Sequence, residues 1–514
     1  MSRMPPLLRS AAAGARAERD IKRGATVLDR RTLVTGALGS VGLLAGPVGP
    51  AHGRSAAARI AVVGAGLAGL TAALRLRQAG HDPEVLEAAT RLGGRCWSAC
   101  GLFRDGQVVE RGGEFIDTGH AAIRTLAGEL GLTLDDVLAA QAPGGIPLYR
   151  FNRERYTLGD ATRDFGAIYD TLQEQNRAIG TTADFRTASA AARRFDMMTL
   201  TDWITETVPG GRASKLGQLI ENAFSEESAA DPDRLSALDA IGTLAGNARD
   251  DFDLYYGGSD QRYRVRGGND RIVAGLAERL DGAVACGTAL TAVTRLGDGR
   301  LRLTLTRDGA VRDAVFDRVV LALPFAVLRD AVDHARAGFR PLKLRAIRDL
   351  GMGASVKFQL GFERRHWAEL GCNGEIRPAS PDFQTSWDTS RAQAGRSGVL
   401  NLWSGGSRAR FTAGPPERDA LACASLAGAE AILPGLGALW TGASTFDAWS
   451  LNPWSRGSYS YAPPGYRTTC AGVEGTPEGF CFFAGEHTGA QTGYMNSAVA
   501  SGERAARQVL ASLP

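Results

Sequence analysis

The sequence is poor in several features that mark common enzyme classes. It has only four lysines and six histidines, and its seven cysteines are scattered and odd in number. Cys96 and Cys100 are close together but lack a second ligand pair at zinc spacing, so neither a disulfide framework nor a metal site is expected, although a single bridge stays open. The Gly-x-Ser-x-Gly elbow and the Walker phosphate loop are both missing, which argues against the hydrolases and kinases that depend on them.

Net positive charge is also absent beyond the start of the chain. Residues 1–53 contain eight Lys or Arg against three acidic residues, a net charge of +5, so the remaining residues carry −1 of the overall +4. The basic isoelectric point therefore describes a leader and not a nucleic-acid surface. We expect no nucleic-acid partner.

The leader has the pattern of an export signal. The pair Arg30 and Arg31 precedes an uncharged stretch, residues 32–50, which is glycine-rich and only moderately apolar. Paired arginines before a weak hydrophobic region are typical of the twin-arginine pathway, which carries folded cargo. The stretch is too short and too interrupted for a stable membrane anchor. We expect residues 1–53 to be recognised by the twin-arginine export machinery, and the mature protein to be periplasmic or secreted.

A glycine-rich motif follows the leader. Gly64, Gly66 and Gly69 lie between the β-branched run 60–63 and a helical pattern, and Glu87 follows 18 positions after the last glycine. A dinucleotide needs this arrangement: a tight turn at Gly64, close backbone approach to a pyrophosphate at Gly66, and helix–strand packing at Gly69. The helix N-terminus attracts phosphate charge, and Glu87 can accept hydrogen bonds from ribose hydroxyls.

Three segments have the pattern of a cofactor scaffold, namely residues 55–119, 262–335 and 465–514. Of the two insertions between them, residues 120–261 are mainly helical in pattern and residues 336–464 alternate strand-like runs with helices. We predict an α/β fold in which a Rossmann-like cofactor-binding domain is interleaved with an α+β substrate-binding domain.

The motifs resemble those of the flavin-dependent amine oxidases, the superfamily of monoamine, polyamine and L-amino acid oxidases. The resemblance rests on three motifs: the glycine motif, Arg91-Leu-Gly-Gly-Arg95, and the run from Phe483 through Gly-Glu-His-Thr-Gly to Asn496. The motifs occur in the same order as in the family, and the match covers nearly the whole mature chain. It implies that the scaffold binds FAD.

The resemblance also implies which residues contact that cofactor. The arginine-glycine stretch would wrap the phosphates and flavin, Val284 would offer its backbone to the adenine, and the helix beginning near Met495 would point its positive end at the flavin. The expected contacts are Gly64, Gly66, Ala68, Gly69, Glu87, Arg91, Gly93, Gly94, Arg95, Gly112, Gly113, Glu114, Val284, Trp449, Gly485, Glu486, Tyr494 and Met495. Ser458 stands where mitochondrial monoamine oxidases carry the cysteine bonded to flavin, so we expect noncovalent FAD.

Three catalytic residues follow from the same resemblance. Tyr459 and Tyr494 match the two walls of an aromatic cage that orients an amine and excludes water, although two ordinary core tyrosines are the alternative. Lys357 matches a lysine that holds a water near flavin N5 and assists reoxidation by oxygen. Lys357 lies in the strand-like run 355–362, and a solvated lysine on that strand is the alternative.

These features predict oxidative deamination of a primary or secondary amine: hydride transfer to flavin N5, hydrolysis of the imine, and reduction of dioxygen to hydrogen peroxide. No second dinucleotide motif is present for a nicotinamide, which favours an oxidase over a monooxygenase. Several L-amino acid oxidases carry a carboxylate-clamping arginine where this chain has Glu114, which favours amines without a carboxylate.

Two other functions remain open at this stage. In a secreted L-amino acid oxidase, Arg262, Arg264 or Arg408 would supply the carboxylate clamp. A non-catalytic flavin-binding scaffold is the other alternative. The sequence also leaves a homodimer open.

Overall fold

The computed structural model describes residues 58–180, 185–254, 259–378, 380, 382–409 and 415–514. The predicted export signal, residues 1–53, lies outside them. The chain from Arg59 to Pro514 forms one unit. No helix within the described ranges is long and apolar enough to cross a membrane.

A five-stranded parallel sheet carries the glycine motif. In spatial order its strands are Cys481–Phe483, Arg318–Leu321, Ile60–Val63, Glu84–Leu86 and Val284–Ala285. Strands from all three scaffold segments therefore meet in one sheet. Such β-branched runs suit a parallel sheet because it is covered on both faces.

The two faces of this sheet have different covers. Ile60 and Val62 pack with helix residues on one side, and Ala61 and Val63 pack with a second sheet on the other. The helices are Leu67–Gln78, Asp270–Leu280 and Met495–Ala511, and the second sheet contains the antiparallel strands Thr288–Arg295, Leu301–Arg307 and Ala310–Phe316. The C-terminal helix comes close because Gly502 lacks a side chain: a Cβ there would lie 2.3 Å from the Ala68 carbonyl oxygen.

A seven-stranded mixed sheet faces the parallel sheet across the site described below. In spatial order its strands are Trp440–Ala448, Ser355–Phe362, Gly398–Gly405, Thr385–Asp388, Cys372–Pro378, Ile146–Phe151 and Glu154–Tyr156. The predicted strand Ser355–Phe362 is confirmed, and all its residues are buried. The last two strands were not predicted. Ile146–Phe151 pairs with Cys372–Pro378, more than 200 positions away, which a local pattern does not show, and Glu154–Tyr156 pairs only with Ile146–Phe151.

The first insertion is mainly helical, as the sequence predicts. Its helices are Ala121–Glu129, Leu158–Gly166, Tyr169–Ile179, Ala190–Met197, Leu200–Thr207, Lys215–Ser228 and Ala237–Leu244. Hydroxyl residues begin several of them: Thr157, Ser189, Thr199 and Ser214 each accept a backbone N–H of the first turn. Further helices are Phe325–Ala331, Pro341–Asp349, His366–Glu369 and Pro415–Glu430.

Short strand pairs complete the described chain. Ser98–Ala99 pairs with Val109–Glu110, Leu134–Asp136 with Tyr263–Val265, and Gly351–Met352 with Ser460–Tyr461. All seven cysteines lie in the described ranges and carry free thiols. Those ranges contain no cluster of His, Cys, Asp and Glu that could hold a metal ion.

Candidate active site

A cavity of about 600 Å³ lies between the parallel sheet and the mixed sheet. It begins at the carboxyl ends of Ile60–Val63 and Glu84–Leu86, where ligands of open parallel sheets bind. Every predicted site residue except Gly69 and Val284 lines it. The sequence segments quoted above therefore meet in one place.

At one end of the cavity the wall is mostly backbone. Gly64 has φ +102°, and a Cβ there would lie 2.6 Å from the Ala322 carbonyl oxygen, while a Cβ on Gly69 would lie 1.8 Å from the Gly64 oxygen. Gly66 has room for a side chain, because a Cβ added there would meet nothing closer than the Gly93 oxygen at 4.0 Å. Gly66 begins the helix Leu67–Gln78 without a side-chain cap, so the positive helix end is open to the cavity.

Glu87 is held rigidly beside this helix end. Its Oε2 accepts the Ala65 N–H at 2.7 Å and its Oε1 accepts the Ala89 N–H at 2.8 Å. Each carboxylate oxygen keeps a further lone pair. Glu87 lines the cavity, so it can accept hydrogen bonds from hydroxyl groups placed there.

Arg95 joins the N-terminal and C-terminal motifs. Its Nη1 donates to Glu486 Oε1 at 2.8 Å and to the Ser458 carbonyl oxygen at 2.8 Å. Glu486 also accepts from the Ser460 hydroxyl at 2.7 Å and from the Gly493 N–H at 2.8 Å. Burial opposes ionisation of Glu486, but the Arg95 charge and these donors hold its pKa below the ordinary value. The result is a satisfied anion in the cavity wall.

The neighbouring arginine, Arg91, is anchored by its own loop. Its guanidinium lies 4.4 Å from the Trp97 ring centre, and Nη1 donates to the Leu92 carbonyl oxygen at 3.0 Å. Burial lowers the Arg91 pKa. Trp449 closes the same wall by donating from Nε1 to the Arg111 carbonyl oxygen at 2.9 Å.

Lys357 is buried, which rules out the solvated strand lysine. Its ammonium donates to the carbonyl oxygens of Glu110 at 2.8 Å and Gly112 at 3.1 Å, and to Glu114 Oε2 at 2.7 Å. Trp387 donates to the same Glu114 oxygen at 3.0 Å. An ammonium has three N–H donors. All three are engaged in protein contacts, so the predicted water-holding role has no spare donor in this arrangement.

The two predicted cage tyrosines line the far end of the cavity together. The Tyr459 hydroxyl donates to the Glu226 carbonyl oxygen at 2.6 Å, and the Tyr494 hydroxyl donates to Glu227 Oε1 at 2.8 Å. Tyr494 also packs edge-on against His120, with ring centres 4.9 Å apart. Both rings are therefore held at their hydroxyl ends where they line the cavity.

The predicted adenine contact is not part of the cavity. The carbonyl oxygens of Ala283 and Ala285 accept from Val85 and Glu87, so the backbone of Val284 points away from that strand, to the edge of the sheet. The wall of the cavity at this point is formed instead by residues 288–291. The adenine contact of Val284 stays a prediction, since its backbone N–H and C=O point away from the neighbouring strand.

The three arginines considered for a carboxylate clamp also lie elsewhere. Arg262 pairs with Asp136, Arg264 donates to the Thr389 and Arg391 carbonyl oxygens, and Arg408 donates to the Ser380 carbonyl oxygen. Of the described arginines, only two line the cavity, Arg91 and Arg95, and both belong to the cofactor motif.

Several cavity residues were missed by the sequence analysis. Trp387 and Trp403 come from two strands of the mixed sheet, and Glu226 and Glu227 come from the last turn of the helix Lys215–Ser228. Only the acidic pair left a signal, because acidic residues are unfavourable at the negative end of a helix.

Comparison with known proteins decides the family. The family model described as flavin containing amine oxidoreductase matches residues 67–510. The chain belongs to this family. It is therefore an oxidoreductase of the flavin-containing amine oxidase type, and the resemblance drawn from the motifs is confirmed at that level.

Relatives and solved structures agree with this assignment. A flavin-containing amine oxidase of Danio rerio is 24% identical over 482 residues, covering 88% of this chain and 86% of its own. The flavin-dependent L-tryptophan oxidase RebO of Lentzea aerocolonigenes is 27% identical over 484 residues, covering 88% and 98%. The structure of cyclohexylamine oxidase from Brevibacterium oxydans superposes with a TM-score of 0.74 at 20% identity over 88% and 99% of the two chains. This last likeness establishes a shared fold.

Proposed function

We propose that the protein is an FAD-dependent oxidase of primary or secondary amines that lack a carboxylate. The observation that carries the proposal is the composition of the far end of the cavity, where two anchored tyrosines and two tryptophans face a space that no described arginine reaches. An α-carboxylate there would meet Glu227 and aromatic surface instead of a bidentate cation.

The residues present fit FAD. An uncapped helix end beside Gly66 suits the pyrophosphate, Glu87 suits the ribose hydroxyls, and the helix Met495–Ala511 brings a second uncapped N-terminus to the cavity. These contacts, and the five-stranded parallel sheet behind them, support a Rossmann-like binding mode. The bound flavin would accept a hydride equivalent from the carbon next to the substrate nitrogen and pass the electrons to dioxygen, which yields hydrogen peroxide.

The protein residues have three tasks in this reaction. Tyr459 and Tyr494 flank the amine and restrict its orientation, and their hydroxyl contacts keep the rings from turning. The aromatic walls exclude water until the imine leaves and is hydrolysed. The Lys357–Glu114 pair holds the segment of Gly112 in place, so it positions the backbone beside the reacting end of the cavity.

We infer noncovalent attachment of FAD. The family cysteine is replaced by Ser458, whose hydroxyl donates to the Gly353 carbonyl oxygen at 3.0 Å. Cys96 also lines the cavity, but burial raises the pKa of its thiol well above the ordinary value, which makes it a poor nucleophile. Acid precipitation is expected to release all the flavin into the supernatant. A yellow pellet would contradict this inference.

We also propose export of the folded holoenzyme by the twin-arginine pathway, on the strength of Arg30, Arg31 and the weak hydrophobic run that follows. N-terminal sequencing of exported protein is expected to show cleavage near residue 53. Unprocessed protein in the cytoplasm would contradict the proposal.

The central proposal is tested by hydrogen peroxide release from the purified protein, assayed in parallel with monoamines, diamines and the twenty L-amino acids. Amines are expected to give peroxide and amino acids are not. Turnover confined to amino acids would make the protein an L-amino acid oxidase. This alternative is supported by the similarity to the L-tryptophan oxidase of Lentzea aerocolonigenes. No turnover of either class would leave a flavin-binding scaffold.

A further inference from the structure

The carboxylates that line the cavity differ in their partners. Glu114 is paired with Lys357 at 2.7 Å, and Glu486 with Arg95 at 2.8 Å. Glu226 is paired with Arg377 at 2.5 Å. Each of these three negative charges is therefore matched by a positive side chain, whereas Glu87 accepts two backbone N–H groups.

Glu227 is not matched in this way. Its one described hydrogen bond is from the neutral Tyr494 hydroxyl to Oε1 at 2.8 Å. Glu227 is surrounded by protein yet keeps an exposed surface, and that surface belongs to the cavity wall. Burial raises the pKa of Glu227, and nearby Glu226 and Asp117 raise it further, while the Tyr494 hydrogen bond and the more distant Arg377 lower it.

The position of Glu227 on its helix leaves its negative charge still less compensated. It lies in the last turn of Lys215–Ser228, which carries no basic residue there. The C-terminal end of a helix carries partial negative charge, so an acidic pair at this point costs stability and attracts a cation. Proteins keep such unfavourable placements mainly at functional sites.

A second observation points to a ligand with N–H donors. Glu114, on the same cavity wall, is buried, and its Oε1 has no hydrogen-bond partner among the described residues. A buried acceptor without a donor costs roughly 1–3 kcal/mol, and a bound nitrogen can remove that cost. The cavity therefore offers acceptors at two separate places.

We propose that Glu227 binds a second cationic group of the substrate, so that the preferred substrates are diamines or longer polyamines. One nitrogen lies between Tyr459 and Tyr494 and is oxidised, and a remote ammonium pairs with Glu227 at the hydroxyl end of Tyr494. This inference rests on the proposed amine oxidase function and deepens it. It assigns a specificity role to a residue that takes no part in the redox step.

The test compares matched substrates. Putrescine and butylamine, and cadaverine and pentylamine, differ only in the remote ammonium. In the native holoenzyme kcat/KM is expected to be higher for each diamine. In Glu227→Gln, which removes the charge but keeps an acceptor for the Tyr494 hydroxyl, the diamine-to-monoamine ratio is expected to fall at least about tenfold, as expected for loss of a charged hydrogen bond.

A matched control is Glu154→Gln, because Glu154 is an exposed acid that pairs with Lys215. It is expected to leave the substrate ratio as it is. Glu227→Asp keeps the charge but shortens the side chain by one methylene, so the preferred diamine is expected to become one carbon longer. This variant also covers the case in which Glu227→Gln does not fold.

The outcomes separate the two proposals. An unchanged substrate ratio in Glu227→Gln, or an equal loss for monoamines and diamines, would overturn the role of Glu227 while leaving amine oxidation intact. If no amine is turned over at all, the proposed function fails, and calorimetric binding of putrescine against butylamine still tests the carboxylate. Equal affinity of the native protein for both would overturn the inference.

Discussion

The two ends of the cavity are built in different ways. The cofactor end is formed by main chain at Gly64, Gly66 and the glycine pair 93–94, all within one short stretch of sequence. The substrate end is formed by side chains such as Glu227, Trp387 and Tyr459, each from a different part of the chain. A site made of backbone leaves a motif because Gly64 and Gly93 have positive φ and a Cβ on either would clash. A site made of side chains on distant strands leaves none.

The largest effect is expected from breaking the cofactor end. In Gly69→Val the new Cβ would lie 1.8 Å from the Gly64 oxygen, so the helix must move off the strand. We expect the protein to lose its flavin or fail to fold, measured as the flavin-to-protein absorbance ratio and by circular dichroism.

The control for this variant is Gly128→Ala. Gly128 lies in the helix Ala121–Glu129, and a Cβ there would meet no atom within 4 Å. Alanine is expected to be neutral or to stabilise by up to about 1 kcal/mol. A flavin-replete Gly69→Val protein would refute the packing argument.

The next largest effect is expected at the junction of the two ends. Lys357→Met leaves the Glu114 carboxylate buried without its cation, which costs roughly 3–5 kcal/mol of unfolding free energy. Denaturant unfolding measures this loss, and stopped-flow mixing with oxygen measures the slower reoxidation that we also expect.

A double variant separates these two roles. Lys357→Met combined with Glu114→Gln removes both charges and is expected to recover most of the stability and most of the reoxidation rate, because Lys357 has no spare N–H donor and acts through the ion pair. Reoxidation that stays slow in the double variant would mean that the Lys357 charge itself acts on oxygen.

At the substrate end, Tyr459→Ala removes one wall of the cage. We expect the anaerobic rate of flavin reduction by amine to fall by about a hundredfold, because the amine loses its orientation. Tyr459→Phe loses only the hydrogen bond to the Glu226 carbonyl oxygen and is expected to cost about tenfold or less. Equal rates of flavin reduction in the native protein and Tyr459→Ala would mean that Tyr459 only lines the cavity and does not orient the amine.

The smallest effect is a pH dependence of substrate choice. Burial raises the pKa of Glu227, so its carboxyl is neutral below that raised pKa and ionised above it. A remote amine stays protonated to about pH 10. The diamine-to-monoamine ratio of kcat/KM is therefore expected to increase as the pH increases through the Glu227 pKa, and to be flat in Glu227→Gln. A decrease with pH in the native enzyme would contradict the sign.

The contrast between local motifs and distant side chains also explains which features could be predicted from the sequence. The parallel sheet, the strand Ser355–Phe362 and the helix starting at Met495 were predicted, since each has a continuous local pattern. The pairing of Lys357 with Glu114 was not, because it joins positions 243 apart.

The structure also changes which residue is expected to repel a substrate carboxylate. From the sequence, Glu114 alone was expected to repel a carboxylate. In the structure its charge is matched by Lys357, so repulsion falls mainly to Glu227.

The most direct test of the account is anaerobic bleaching of the flavin in the purified mature protein, challenged separately with monoamines, diamines and the twenty L-amino acids. We expect bleaching by amines, fastest with diamines, and none by amino acids. Bleaching by amino acids alone would show that a cation absent from the described cavity wall holds a carboxylate, and would contradict the assignment.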